Sequence, residues 1–447
     1  MQDSISSILK SVRQFFSGTL FSRVTGLIRD IATAYAFGAS ASVAAFLVAF
    51  RFSHLLRRIL GEGALQGAFT PRFEALRHHD PREAALFFRD LQKGLGLLLV
   101  GIVLLGMLGL FSINYFFELS QGNAEIVQLT ILLMPGLLFI CLYGLNAALL
   151  QCEKRYLLSS AAPALLNIGW TAGALWLASD SPSVAMPWLA LCVVLAAAAQ
   201  WGVTVPACLS IIKNLNPSGL WERWNFLRLK ELLGPIWLST VGIAASQVNV
   251  ALDAVFARYA DLEGPAFLWY AIRLQQLPLA LFGIAIANAI LPPLSRAAKR
   301  GDEVSFRKFM RAAWRGSLAL MVPITIGIFL FGRWAIQLLY GHGDFDSYAG
   351  EMTQLCLEGY ALGLIPMALV ICHVQGCYAR GDYRRPMVAS LISVGTNSAL
   401  SLFFIMEMGW GSPSIAVATS VSAWVNLGIL CWKRTKSEAV ASLIDMT

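Results

Sequence analysis

The sequence predicts an all-α polytopic membrane protein of about twelve transmembrane helices, set as two six-helix lobes related by a parallel repeat. Three observations carry that prediction: a composition poor in charge, apolar runs of bilayer length, and an offset that returns the same residues in both halves. The chain has 447 residues, of which 57% are hydrophobic and only 13% charged. A soluble domain carries about 25% charged residues, so this composition belongs in lipid. The net charge of +8 comes from short basic blocks between apolar runs, with no nucleic-acid-binding motif beside them.

At about 20 apolar residues per crossing, the spans fall near 17–37, 42–62, 92–116, 126–150, 157–178 and 185–211 in the first half. Those of the second half fall near 230–257, 265–292, 312–332, 350–377, 386–407 and 413–432. Several contain Gly or Pro, which membrane helices tolerate. The divided chain gives an N-lobe over 1–225 and a C-lobe over 226–447. The connection around Pro71–Lys93 is basic and amphipathic, and Tyr340–Phe345 reads as a turn. The eight cysteines include no CxxC pair, so they read as small hydrophobic residues. The first apolar stretch contains Arg23 and Arg29 and ends in no small-residue cleavage site, which speaks against a removable signal peptide.

Orientation follows from the basic residues. With a cytoplasmic N-terminus, nearly all inter-span lysines and arginines share its side, and only Arg258 and Arg333 lie opposite, near Asp261, Glu263, Asp344 and Asp346. The positive-inside rule then places both termini in the cytoplasm, in agreement with an even span count.

The repeat is visible as a constant shift of 222 residues: Arg51, Gly61 and Pro71 return as Arg273, Gly283 and Pro293. With six spans per half, both halves enter the membrane in the same direction.

Arg23, Arg29, Arg51, Arg57, Arg58 and Arg273 all lie within these apolar stretches. Each costs roughly 2.5–3.5 kcal/mol at a helix centre on insertion scales. A guanidinium does not lose its proton, so it must face water, protein or an anionic guest. In the second span Arg51, His54, Arg58 and Glu62 form one polar stripe, with Arg57 beside it. Arg58 could also snorkel to the headgroups and pair with Glu62 at i+4, and Asp30 could simply neutralise an arginine. Arg51 and Arg273 hold repeat-equivalent positions, and two guanidinium forks suit a diphosphate. Asp253 stands mid-span near Asn249, while Asn397, Ser401 and Thr419 occupy the last two spans. Their oxygens fit either a hard cation such as sodium or an interhelical hydrogen-bond network.

The run Ser22-Arg23-Val24-Thr25-Gly26-Leu27-Ile28-Arg29-Asp30 resembles the first-span signature of the MurJ/MviN family of lipid II flippases. So do Phe37-Gly38-Ala39, Ala45-Phe46, and Leu55-Leu56-Arg57-Arg58-Ile59-Leu60-Gly61-Glu62-Gly63-Ala64. Later matches are Tyr270-Ala271-Ile272-Arg273-Leu274, Leu291-Pro292-Pro293-Leu294-Ser295, and Tyr378-Ala379-Arg380 running to Pro386. The resemblance implies the multidrug/oligosaccharidyl-lipid/polysaccharide exporter fold, with two lobes around a central cationic cavity. It implies carriage of undecaprenyl-diphosphate-linked peptidoglycan precursor (lipid II) from inner to outer leaflet of the inner membrane by alternating access. The family's cavity arginines fall on Arg23, Arg29, Arg57 and Arg273, to which the repeat adds Arg51. Asp30, His54, Arg58 and Glu62 are auxiliary cavity residues. A sodium site described for some members falls on Asp253, Asn397 and Thr419, with Ser401 where an acidic residue is usual. Ala44 and Ile272 also replace acidic residues common in the family, and the chain shows twelve spans where most members have fourteen.

No resident cofactor is expected. Coupling to sodium, to protons or to the membrane potential is consistent with the residues. Expected partners are the membrane, a lipid-linked anionic substrate and cell-wall synthesis enzymes, with no nucleic acid. Three rivals stand beside this reading: a flippase for another polyprenyl-diphosphate oligosaccharide, an ion-coupled small-molecule exporter, and a non-transporting scaffold. The exporter of cationic drugs predicts an acidic cavity, which the arginines oppose. An enzyme is not expected, because no nucleophile–base pair, metal motif or phosphate loop is present.

Overall fold

The computed structural model describes residues 5–53, 55, 57, 64–216 and 247–432, and every regular element among them is helical. Helices α1 (Ile5–Phe37), α2 (Ala41–Ser53), α3 (Ala64–His79), α4 (Pro81–Phe116) and α5 (Gln121–Cys152) come first. They are followed by α6 (Tyr156–Ala161), α7 (Pro163–Trp176), α8 (Pro182–Gly202) and α9 (Val205–Leu215). After a helical stretch over 247–260 come α10 (Gly264–Pro278), α11 (Ile284–Lys299), α12 (Glu303–Tyr340) and α13 (Ser347–Ala361). The last three are α14 (Leu364–Ala379), α15 (Arg384–Met406) and α16 (Pro413–Cys431).

Six helical segments among the described residues are long and apolar enough to cross a bilayer, or seven when α13 and α14, bent by 41°, count as one span. In the most apolar window of α4 only 11% of residues are buried, and Leu97, Leu104, Leu105, Leu108 and Phe111 are all exposed. Such a surface would aggregate in water; against acyl chains it is in its proper solvent.

The backbone forms two compact units, Met1–Trp269 with Ile336–Glu351 (unit 1) and Tyr270–Ala335 with Met352–Thr447 (unit 2). In unit 1 an extended core cluster joins Phe69 and Phe73 of α3 to Phe87 and Phe88 of α4, and continues through Leu145 and Leu149 of α5. Gly18 of α1 lies so close to α6 that a Cβ there would collide with Ser160 Oγ. The end of α1 is closed by two left-handed glycines, Gly38 (φ 61°) and Gly343 (φ 65°), where Asp344 N donates to Tyr35 O at 3.0 Å. Glycine alone adopts that conformation without steric cost, and the turn expected over Tyr340–Phe345 is there for that reason.

The 222-residue offset extends into local structure. Asp80 caps α4 by accepting from Arg82 N at 2.9 Å, and Asp302 precedes α12 and accepts from Ser305 N at 2.9 Å. Both long helices therefore start several turns before the apolar runs expected at 92 and 312. A short polar side chain satisfying the first free N–H groups fixes the start, and hydropathy does not report it.

Three expected single spans are interrupted. The span over 157–178 divides at Ala162 into α6 and α7, and that over 350–377 bends between α13 and α14. Within 265–292, Pro278 is followed by a π-helical turn, Leu279–Gly283. Proline offers no N–H to the carbonyl one turn back and crowds it, so the ladder widens before α11 resumes.

Candidate functional site

The charged cluster of unit 1 is built on α1. Arg29 is buried, and its Nε and Nη2 donate to Asp30 Oδ1 at 3.0 and 2.7 Å. Its Nη1 donates to Asn167 Oδ1 on α7 at 3.1 Å. Asn167 Nδ2 in turn donates to Ser22 O (3.0 Å) and Thr25 Oγ1 (3.2 Å), so a single amide ties α7 to two turns of α1. Trp170 Nε1 donates to Thr33 Oγ1 at 3.0 Å. Three of the five guanidinium N–H groups of Arg29 are thereby engaged.

Aromatic rings enclose the same group. The Arg29 guanidinium carbon lies 4.6 Å from the Trp170 ring centroid and 5.8 Å from that of Trp269. Trp269 Nε1 donates to Asp30 Oδ1 at 3.2 Å, and Arg51 of α2 sits over the Trp269 ring at 5.5 Å. Phe50 meets both indoles edge-on, with centroids at 4.9 and 6.1 Å. Indole faces attract cations, more strongly once water is excluded. Asp30 sits directly against Arg29 at 2.7 Å, and the half-buried Arg51 adds a second guanidinium to the cluster.

The structure thus brings Arg29, Asp30 and Arg51 together around Trp269. Arg23 lies elsewhere on α1 and is exposed, and Arg57 is half-buried. Arg273, half-buried on α10, belongs to unit 2. His54, Arg58 and Glu62 lie outside the described residues. Asn167, Trp170 and Trp269 were not singled out from sequence. A lone amide in the apolar run 157–178 was the available signal for the first, and a tryptophan one turn before Arg273 for the last.

The residues expected to hold a cation divide between units. In unit 1, Asp253 is buried and accepts from Asn249 Nδ2 at 3.3 Å. In unit 2, Asn397 and Ser401 are buried, and Thr419 Oγ1 donates to Ile415 O at 2.9 Å. Ser401 Oγ has no hydrogen-bond partner among the described residues. These unit 2 donors are neutral oxygens, which suit a hard cation only weakly without a carboxylate. No group of three His, Cys, Asp or Glu side chains with metal-holding geometry occurs among the described residues.

The sequence model of the family described as lipid II flippase MurJ matches residues 33–446. The chain belongs to that family. The "Probable lipid II flippase MurJ" of Chlamydia muridarum (strain MoPn / Nigg) is 32% identical over 438 residues, covering 98% of this chain and 80% of the relative. Among solved structures, "Lipid II flippase MurJ, inward closed conformation" aligns with TM-score 0.78 at 23% identity, over 93% of this chain and 86% of the other. A multidrug resistance MATE family transporter of the MOP superfamily, inward-facing, aligns with TM-score 0.69 at 14% identity, covering 91% and 92%. These two likenesses show the fold. As a MurJ family member with six apolar helices of spanning length among the described residues, the chain is a multi-pass protein of the inner membrane.

Proposed function

We propose that this chain carries lipid II from the inner to the outer leaflet, with both termini cytoplasmic and without catalysing a covalent step. The observation that carries the reading is the family match over residues 33–446, joined to arginines held inside apolar helices. Intramembrane arginine persists where an anion or a cavity repays its desolvation, and the diphosphate of a lipid-linked precursor offers two bidentate acceptors.

Arg51 and Arg273 receive the diphosphate, with Arg23 and Arg57 guiding its entry. Arg29 acts differently. Its bonds to Asp30 and Asn167 hold the indole platform on which Arg51 rests, so it positions more than it binds. The polyprenyl tail stays in lipid while the headgroup crosses by alternating access. A potential negative inside contributes about 2.3 kcal/mol per charge per 100 mV. It pushes the anionic headgroup outward and draws the empty cationic site back, so the cycle needs no resident cofactor. Sodium at Asp253, Asn397 and Thr419 is an optional addition.

The test measures accessibility of lipid-linked precursor at the outer leaflet in cells depleted of this protein and then complemented. Complementation restores accessibility, and the Arg273→Ala chain, present at equal level in the membrane, does not. Precursor that stays inaccessible after complementation with the unaltered chain would overturn the assignment.

A further inference from the structure

Unit 2 contains a cavity of 490 Å³ at the end of the helix bundle where α12 starts, α14 ends and α15 begins. Its wall carries five arginines, Arg307, Arg311, Arg315, Arg380 and Arg385, against a single carboxylate, Asp382. That carboxylate already accepts from Arg385 N at 3.1 Å. Arg380 is held by Glu303 at 2.7 Å and lies over the Phe306 ring at 4.1 Å. Arg385 donates to the carbonyls of Ile429 and Trp432. Arg311 and Arg315, one turn apart on α12, are exposed and form no ion pair or hydrogen bond among the described residues.

The floor is apolar and aromatic, with Met310, Leu318, Leu430 and Trp314, whose Nε1 donates to His373 Nδ1 at 3.2 Å. Tyr378 and Tyr383 pack nearby with tilted rings, centroids 5.3 Å apart, and Tyr383 and Trp432 are exposed at the same end. Exposed tyrosine and tryptophan mark headgroup depth in a bilayer. The cavity therefore offers cations to a phosphate and hydrocarbon to the chain attached to it.

The repeat supplies an internal control. Phe88, Arg89, Gln92, Lys93 and Cys208 line a smaller cavity, 240 Å³, in unit 1. A shift of 222 turns them into Met310, Arg311, Trp314, Arg315 and Leu430, all lining the unit 2 cavity. In unit 1 the arginine is neutralised internally, since Arg89 Nη2 and Nε both bond to Asp90 Oδ1, at 2.5 and 2.9 Å. The residue equivalent to Asp90 in unit 2 is Ala312. The carboxylate has no counterpart beside Arg311, and the cavity is twice as large.

We propose that this unit 2 cavity is a binding site for an anionic glycerophospholipid, with the phosphodiester on Arg311 and Arg315 and acyl carbons against Met310, Trp314 and Leu430. Basic pockets between membrane helices recognise anionic headgroups in this way. None of the arginines assigned to lipid II lines this cavity, and it is read without transport, so its failure leaves the flippase reading untouched.

The experiment is native mass spectrometry of the full chain in detergent, titrated with phosphatidylglycerol or phosphatidylethanolamine. The expected result is one retained phosphatidylglycerol, bound about tenfold more tightly than phosphatidylethanolamine. Arg311→Gln/Arg315→Gln loses it. Ala312→Asp, which rebuilds the carboxylate of unit 1, also loses it while thermal stability is kept. Lys299→Gln/Arg300→Gln, outside the cavity, retains it. Equal retention of the two lipids, retention by either cavity variant, or loss in the control pair would overturn the proposal. So would displacement by inorganic phosphate alone, which would make it a soluble-anion site, or by undecaprenyl diphosphate, which would make it a substrate site.

Discussion

Removing the carboxylate of Asp30 leaves a buried guanidinium without its counter-charge, and the structure sets the size of that effect. Asp30 is 2% exposed, and its Oδ1 accepts from Arg29 Nε, Arg29 Nη2 and Trp269 Nε1. Asp30→Asn keeps an oxygen of similar shape but removes the charge. Breaking a buried pair from one side costs about 3–5 kcal/mol, much of it the stranded partner. Arg29→Gln/Asp30→Asn removes both members of the pair together, so it costs less than the sum of the single changes, by roughly 2–3 kcal/mol of coupling. The assay is equilibrium unfolding in detergent across the four members of the cycle, with indole emission as the probe. Additivity within about 0.5 kcal/mol would refute the claim that these groups neutralise each other.

Three further outcomes follow from the same geometry. Arg51→Ala and Arg273→Ala each stop delivery of precursor to the outer leaflet with melting temperature nearly unchanged, and Arg→Lys at either site restores it only partly, because an ammonium lacks the bidentate fork; full delivery by Arg51→Lys would remove the diphosphate geometry from the account. Glu263 has its carboxyl pKa raised, by burial first and then by Asp346 and Asp261, against the opposing pull of Arg258. A carboxyl raised in the folded state binds its proton more tightly there, so its stabilisation is present at acid pH and is lost as pH rises through the raised value. Glu263→Gln accordingly raises thermal stability near neutral pH and flattens its pH dependence, and a lower melting temperature would contradict this. Replacing sodium by choline at a held potential leaves flipping within about twofold, since the potential is the assigned driving force; a far larger loss would move the coupling to Asp253, Asn397 and Thr419.

Much of the fold was legible because lipid imposes long apolar runs, and the starts of α5, α8 and α16 fall within a few residues of those expected. Helix beginnings set by polar caps were not. Asp80 and Asp302 carry α4 and α12 several turns beyond their hydrophobic parts. The break after Pro278 and the division at Ala162 depend on backbone geometry that hydropathy averages away.

At the site, the sequence identified Arg29, Asp30 and Arg51 as chemistry in an apolar setting. Helical spacing alone sets adjacent positions such as 29 and 30 about 100° apart around the axis and does not pair them. The long arginine side chain of position 29 instead folds back to its chain neighbour. Asn167 and the two indoles come from α7 and α10, 138 and 239 residues from their partners on α1. No local pattern reveals such distant contacts.

The most direct measurement reconstitutes the purified chain into vesicles carrying lipid II and follows its appearance in the far leaflet under an imposed potential. The account expects transfer by the unaltered protein, faster with the potential driving negative charge in the transport direction, and none by Arg51→Ala/Arg273→Ala. Equal transfer by that double variant, or indifference to the sign of the potential, would contradict it.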